Sequence, residues 1–160
     1  MKTRILYTEI WQDDFFSELD PKEKLLFIYY LTNESVNIIH LYKCMPMRVS
    51  ADTGIDTPIV LKAQEKFEKA GKIYFKNGYV YLKNASRFES YVGEKNEVAK
   101  QKLFDRLSTE IIDWYNNITD RGIDRGTKIG TINKKSKTIK EKLDSDEIAL
   151  EVERGLSDRL

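Results

Sequence analysis

The hydrophobic pattern near the N-terminus predicts two helices. In the first, residues 9–19 (EIWQDDFFSEL), the apolar side chains recur at near-helical spacing and predict one buried face. Asp20 and Pro21 are suited to start a second helix, in which Glu23 can complete a capping box. This second helix is apolar on nearly all sides from Leu25 to Leu31, so we expect it to lie at the centre of the core.

A helix followed by a tight β-hairpin is predicted over residues 52–83 (DTGIDTPIVLKAQEKFEKAGKIYFKNGYVYLK). Thr57 can cap the helix, Pro58 suits its first position, and Gly71 can supply the left-handed residue that ends it. The runs KIYF and YVYL flank Asn77-Gly78, a dipeptide typical of two-residue hairpin turns. Their alternating side chains predict a hairpin with one apolar face.

Two further elements are predicted before this segment. Residues 36–45 are rich in branched and aromatic side chains and predict a strand. Pro46 then begins a short helix that ends at Gly54. Because only the turn of residues 54–56 separates this helix from the next, the pattern predicts a helix-turn-helix.

The fold class that follows is α+β, mostly α. Residues 1–93 are expected to form a winged helix-turn-helix domain, and residues 94–118 to carry an amphipathic helix from Asn96 to Ile118. The apolar strip of that helix can pack on its own domain, on a second copy of the chain as a homodimer or other oligomer, or on another partner. The residues that would make an oligomer or partner contact are Leu103, Leu107, Ile111 and Trp114.

Residues 119–160 are predicted to be a flexible, charged tail. Residues 119–142 hold eight Lys/Arg and three Asp/Glu, a local net charge of +5, while residues 144–160 hold six Asp/Glu and two Arg, a local net charge of −4. A basic linker of this kind can bind phosphates or can simply be solvated. The acidic, leucine-containing end can dock on a partner or mask the basic linker.

Composition restricts the classes of function. The 160-residue chain has a net charge of only +1, so any basic surface that attracts nucleic acid must be local. No apolar run is long enough for a membrane span, and the N-terminus lacks the apolar run of a signal peptide. With a single cysteine, Cys44, which rules out an intrachain disulfide, the sequence indicates a cytoplasmic protein with no membrane partner.

Residues that carry catalytic or metal chemistry are sparse. His40 is the only histidine, so neither a zinc site nor a Ser-His-Asp arrangement is indicated, and we interpret His40 as structural. Cys44 lies in an apolar run, which favours a buried structural thiol over a reactive one. Gly122, Gly126 and Gly130 lack the GK[ST] of a phosphate-binding loop. The sequence predicts a protein that is not an enzyme and has no cofactor or metal.

The helix over residues 59–70 carries a lysine stripe. Lys62, Lys66 and Lys69 follow each other at spacings of four and three, with Glu65 and Glu68 beside them. Such a stripe is either a solvated face or, on the second helix of a helix-turn-helix, a DNA-facing one. The candidate DNA-binding residues are Thr57 or Gln64 for base contacts, Lys62, Lys66 and Lys69 for phosphates or base edges, Lys76 and Asn77 for the backbone or minor groove, and Lys72 at the base of the hairpin.

The order of these segments resembles a known family. The run IWQDDFFSELDPKEKLLFIYYLTN, then NIIHLY, then VLKAQEKFEKAGKIY and NGYVYLKN looks like the N-terminal winged-helix domain of phage replisome-organiser and DnaD-like replication initiation proteins, over residues 4–91. The resemblance implies duplex DNA binding at a replication origin of a phage or mobile element, with a helicase or helicase loader as partner. Relatives continue into a longer C-terminal domain, whereas here a helix and a charged tail follow, so a complete helicase-loading role is not implied. The alternatives are a winged-helix transcriptional regulator and a protein-interaction module that does not bind DNA.

Overall fold

The computed structural model describes residues 3–88 and 93–120, without the side chains of Arg87 and Asp120. This part of the chain is mostly helical and contains a small antiparallel sheet, in agreement with the predicted α+β class. Its elements are a 3₁₀ helix at Thr8–Gln12, α1 at Asp14–Ser17, α2 at Pro21–Thr32, β1 at Leu41–Lys43, α3 at Pro46–Thr53, α4 at Thr57–Lys69, β2 at Ile73–Lys76, β3 at Tyr79–Leu82, a 3₁₀ helix at Ala85–Arg87, α5 at Glu94–Phe104 and α6 at Thr109–Asp120.

The first predicted helix is interrupted. Asp13 has an extended backbone between the first 3₁₀ helix and α1, and its carboxylate accepts a hydrogen bond from the Phe16 amide at 3.0 Å. An aspartate in this position satisfies a donor that the start of a helix leaves unpaired. A single helix over residues 9–19 is therefore wrong, because Asp13 caps a new helix within that range.

Helix α2 has the predicted start. The Glu23 amide donates to the Asp20 carboxylate at 2.9 Å, and the Asp20 amide donates to the Glu23 carboxylate at 3.0 Å, which confirms the capping box. Leu26 and Tyr30 are fully buried, whereas Leu25 is 47% exposed. Helix α2 is thus central to the core without being buried on every side.

The strand predicted over residues 36–45 is much shorter, because only β1 has strand geometry. The Asn37 carboxamide accepts from the Ile39 amide at 3.1 Å and donates to the Leu41 carbonyl at 2.8 Å, which closes a local turn. His40 then adopts a positive φ of 53°. An apolar residue in this turn is buried without being part of a strand, since Ile39 is only 7% exposed.

Helices α3 and α4 follow the prediction except at one cap. Gly54, between them, has a left-handed φ of 71°, and Gly71, after α4, has a φ of 66°. The N-cap of α4 is Asp56, and Thr57 is the first helical residue. The predicted capping role of Thr57 is therefore wrong, because its backbone is already inside the helix.

The sheet of the described residues has the strand order β1-β3-β2. Asn77 and Gly78 have φ values of 50° and 76°, as a primed two-residue turn requires, so the predicted hairpin is confirmed. The predicted pairing is confirmed as well: Ile73 lies opposite Leu82 and Phe75 opposite Val80. We call the face that bears these residues and Tyr42 the core face, and the other the outer face, which bears Leu41, Lys43, Tyr74, Lys76, Tyr79 and Tyr81.

The core lies between the core face of the sheet and helices α1 to α4. Its centre is aromatic: Phe67 of α4 meets the ring of Phe27 at 5.2 Å between centroids and that of Tyr30 at 6.4 Å, both edge to face. Edge-to-face pairs are favourable beyond their buried area. Helix α4 is thereby anchored by its apolar stripe, and its opposite side faces solvent.

The predicted helix from Asn96 to Ile118 is two helices, α5 and α6. The break follows Phe104, and the Ser108 carbonyl accepts from the amides of Ile111 and Ile112 at the start of α6. Helix α6 turns back towards the sheet, so that the ring centroids of Tyr115 and of Tyr81, on the outer face, are 5.0 Å apart. Ile111 of the same helix is only 2% exposed. Of the predicted partner-binding residues, Leu103, Leu107 and Trp114 are half-buried and Ile111 is buried within its own chain.

The predicted basic linker and acidic tail, residues 119–160, lie outside the described residues apart from the last two positions of α6.

Candidate nucleic-acid interface

The lysine stripe of α4 is exposed, as predicted. Lys62, Lys66 and Lys69 all face solvent, and the opposite side of the helix, with Val60 and Phe67, is fully buried. The two faces arise because residues three and four apart fall on the same side of a helix. The core contacts therefore fix which side of α4 is presented outward.

The three lysines of this stripe are not equivalent. The Lys66 ammonium lies 2.6 Å from the Glu23 carboxylate of α2, a residue 43 positions away in sequence. Within residues 3–88 and 93–120, neither Lys62 nor Lys69 forms an ion pair. Lys62 and Lys69 are therefore the lysines of α4 that can bind an anion without first losing an ion pair within the described residues.

Gln64 does not lie on the exposed face. It is 8% exposed, and its side-chain amide donates to the Tyr30 hydroxyl at 2.7 Å inside the domain. The predicted base contact by Gln64 is therefore wrong: its place on α4 puts it against α2, where it satisfies a buried phenol. Thr57, the other predicted base contact, is half-buried in the first turn of α4.

Replacing Gln64 by alanine is expected to lower the free energy of unfolding by about 1–3 kcal/mol, because the Tyr30 hydroxyl loses its partner in the interior. Urea denaturation of the variant measures the change. Glu65→Ala, at the neighbouring exposed position on the same helix, is the matched control and is expected to stay within about 0.5 kcal/mol of the parent. Equal stability of the two variants would contradict the buried role of Gln64.

Lys72, at the base of the hairpin, is held by the fold. Its ammonium lies 2.7 Å from the Asp13 carboxylate and 5.5 Å from the centre of the Phe15 ring. Burial raises the pKa of the Asp13 carboxyl, but hydrogen bonds from Lys72 and from the Phe16 amide outweigh it, so the pKa is lower than its ordinary value. Lys72 thus links the hairpin to the cap of α1 rather than standing free for a phosphate.

At the tip of the hairpin, the two predicted DNA-binding residues share one partner. The Glu110 carboxylate of α6 accepts a hydrogen bond from the Asn77 side-chain amide at 3.0 Å and lies 3.4 Å from the Lys76 ammonium. The tip is therefore occupied by an acidic side chain of the same protein.

A further cation near the tip was missed from the sequence. Lys43 of β1 is exposed and lies opposite Tyr79, which in turn lies opposite Lys76. Side chains directly opposite each other in an antiparallel pair point to the same face. The prediction of a strand over residues 36–45 did not single out this lysine, and only the strand register places it beside Lys76.

A cavity of about 360 Å³ lies between the N-terminal segment and the base of the hairpin. Its wall is largely apolar and includes Ile5, Phe27 and Phe88, and the Asp13–Lys72 pair lies in the same wall. Ile5 and Phe88 are 67% and 53% exposed, so part of this wall opens to solvent. Volume and lining suit a small apolar group.

The single cysteine and the single histidine of the chain are both buried. Cys44 is 5% exposed, as predicted for a structural thiol, and burial raises its pKa, which disfavours the nucleophilic thiolate. His40 is buried as well, 5% exposed. Within residues 3–88 and 93–120, no group of three His, Cys, Asp or Glu side chains could hold a metal ion.

Among the helices of the described ranges, none has both the length and the apolar character needed to cross a bilayer.

Comparison with known proteins identifies no family for this chain. No protein-family model, no curated protein and no solved structure matches the chain.

Proposed function

We propose that this chain is a winged-helix protein that binds duplex DNA through α4 and acts in replication initiation. The observation that supports the proposal best is the order of elements. Strand β1 precedes the helix pair α3 and α4, the hairpin follows directly, and β3 pairs with β1 to close the sheet. In this arrangement α4 is the second helix of a helix-turn-helix, and the hairpin is the wing beside it.

The exposed side of α4 suits a major groove. A helix with its side chains is about 10–12 Å across, which matches the ~12 Å width of that groove. Lys62 and Lys69 lie on the exposed side and have no ion pair among the described residues. Lysines in such positions neutralise backbone phosphates and release counterions, the main source of affinity for DNA.

The acidic neighbours of α4 do not remove this capacity. The pair between Lys66 and Glu23 is only partly exposed, with 43% of the lysine side chain and 16% of the glutamate side chain accessible. The proposed contact therefore rests on Lys62 and Lys69, and Lys66 joins it only where a phosphate displaces Glu23. Because the net charge of the whole chain is only +1, the proposed attraction to DNA comes from this local surface.

The assignment to replication initiation rests on the resemblance to replisome-organiser and DnaD-like proteins, with a helicase or helicase loader as the partner that it implies. A transcriptional repressor would use the same contact between α4 and duplex DNA. Binding experiments on the isolated protein therefore test the DNA contact that both roles share.

Duplex binding is expected to weaken steeply with salt, and Lys62→Gln/Lys69→Gln is expected to reduce its salt slope by about 1.8, since each lost phosphate contact removes about 0.9. Fluorescence anisotropy on a labelled duplex between about 50 and 200 mM salt measures both quantities. The matched control is Lys95→Gln/Lys102→Gln, which removes two exposed helical lysines from α5.

If the control lowers the slope as much as the α4 variant does, the contact surface is not α4. If the parent chain shows no salt-dependent affinity for duplex DNA, the proposed function is wrong. That second result would favour a protein-interaction module, for which the partly open apolar cavity beside Ile5 and Phe88 is the observation in support.

A further inference from the structure

One row of residues crosses all three strands at the tip of the sheet. Lys43 of β1 lies opposite Tyr79 of β3, which lies opposite Lys76 of β2. We call these three residues the tip row. Because neighbouring strands are about 4.8 Å apart, the two lysines stand roughly 10 Å apart at their Cα atoms, on either side of the tyrosine.

The tip row lies on the outer face of the sheet. The next row along the strands, Tyr42, Val80 and Phe75, packs in or against the core, so the side chains of the tip row must point the other way. Lys43 is exposed, and Tyr79 and Lys76 are half-buried. Two ammonium groups and a phenol are therefore presented together on a surface that the core does not need.

Helix α6 reaches one end of this row. The Glu110 carboxylate lies 3.4 Å from the Lys76 ammonium and 3.0 Å from the side-chain amide nitrogen of Asn77, the turn residue next to the row. Contact between the rings of Tyr115 and Tyr81 at 5.0 Å holds α6 on the same face. The packing of α6 on the sheet therefore places Glu110 beside the tip row.

We propose that the tip row and Asn77 form a second contact for the DNA backbone, and that Glu110 occupies this contact in the free protein as an internal competitor of phosphate. The inference rests on the proposed function, because it assumes that duplex DNA is the ligand of this domain. It adds Lys43 to the interface and assigns α6 a regulatory role.

The chemistry of the contact supports exchange of one anion for another. A carboxylate and a phosphate are both anionic oxygen acceptors, and the ammonium of Lys76 and the amide of Asn77 are donors that serve either. The Glu110 side chain is 60% exposed, so the existing ion pair is weak and easily displaced. Displacement frees Lys76 and Asn77 for a phosphate while Lys43 meets another on the far side of Tyr79.

Glu110→Gln is expected to tighten duplex binding by roughly twofold to fivefold, because the competing charge is gone and a neutral amide holds Lys76 and Asn77 less strongly than a carboxylate does. Glu94→Gln is the matched control: Glu94 occupies the first turn of α5 as Glu110 occupies the first turn of α6, and both are exposed. The control reports the general effect of removing one negative charge, and the excess in Glu110→Gln reports the competition. Anisotropy on the same labelled duplex measures both.

A second comparison tests the tip row itself. In a Lys76→Gln background, Glu110→Gln is expected to lose most of its excess over Glu94→Gln, since the charge that Glu110 competes for is absent. Lys43→Gln is expected to lower the salt slope by about 0.9, the value of one phosphate contact, whereas Lys95→Gln leaves it unchanged.

The outcomes separate this inference from the proposed function. If the parent binds duplex DNA and loses slope in Lys62→Gln/Lys69→Gln, but Glu110→Gln matches Glu94→Gln, the inference is wrong and the proposed function stands. If Lys43→Gln leaves the slope unchanged, Lys43 is not part of the interface and the proposed row is wrong. If no duplex binding occurs at all, the proposed function fails first. Denaturation curves of the variants verify that each is folded.

Discussion

Replacing Phe67 by alanine is expected to lower the free energy of unfolding by about 3–5 kcal/mol, the usual loss when a buried aromatic ring leaves a cavity. Phe67 has no exposed surface, and its ring contacts those of Phe15, Phe27 and Tyr30 at centroid distances of 6.2, 5.2 and 6.4 Å. Each of these rings loses a packed partner in the variant. Because Phe67 anchors α4, loss of its ring weakens the helix that carries the proposed interface.

Urea denaturation followed by circular dichroism measures this loss. Phe88→Ala is the control, since Phe88 is 53% exposed and its truncation leaves solvent in place of a cavity. A domain of this size is stable by only about 5–15 kcal/mol, so the Phe67 variant is expected to unfold at distinctly lower denaturant. A difference of less than about 1 kcal/mol between the two variants would contradict the aromatic centre assigned to the core.

Ile111→Asp is expected to destabilise the protein by more than about 3 kcal/mol, because it removes buried apolar area and places an unpaired charge in the interior. Ile111 is 2% exposed on α6, in the helix that Tyr115 anchors to Tyr81 on the outer face of the sheet. The loss is predicted within one chain and therefore does not depend on protein concentration. Denaturation at two widely separated concentrations measures it.

Asn117→Asp is the control for charge, because it adds the same carboxylate at an exposed position of the same helix. If Ile111→Asp leaves the unfolding of a single chain unchanged and instead lowers the oligomeric state, Ile111 packs against a second copy. That result would support the hypothesis that the apolar strip, which also includes Leu103, Leu107 and Trp114, forms a homodimer contact.

Features that depend on neighbouring residues were predicted well. The capping box of Asp20 and Glu23, the end of α3 at Gly54 and the Asn77-Gly78 turn each rest on contacts or backbone preferences within a few positions. The hairpin pairing followed, because a two-residue turn and side-chain alternation together determine the register. Local chemistry was sufficient for these elements.

Element lengths were predicted less well. The apolar pattern runs through Asp13 and through residues 105–108 without a change, yet the chain turns at both places. The same pattern predicts one strand over residues 36–45, although Asn37 closes a turn and His40 adopts a positive φ within that range. A hydrophobic pattern reports that side chains are buried, and it does not say whether a helix, a strand or a turn buries them.

The candidate interface shows the same division. The spacing of Lys62, Lys66 and Lys69 determined that they share one exposed face of α4. The acidic partners of three of the candidate lysines could not be predicted from the sequence. Lys66 pairs with Glu23, 43 positions away (66 − 23), Lys72 with Asp13, 59 positions away (72 − 13), and Lys76 with Glu110, 34 positions away (110 − 76). No periodicity connects residues at such separations, so only packing shows which cations are already paired.

The sequence by itself determined the α+β class, the helix pair, the hairpin and the lysine stripe, because caps, turns and periodicity act over a few residues. The tertiary structure alone decided that the Gln64 side chain is buried against Tyr30, that α6 packs on Tyr81 of the outer face and brings Glu110 to the hairpin tip, and that Lys43 lies beside Tyr79 and Lys76. The physical reason is that these contacts join segments distant in the chain, and their geometry follows from how the helices pack on the sheet.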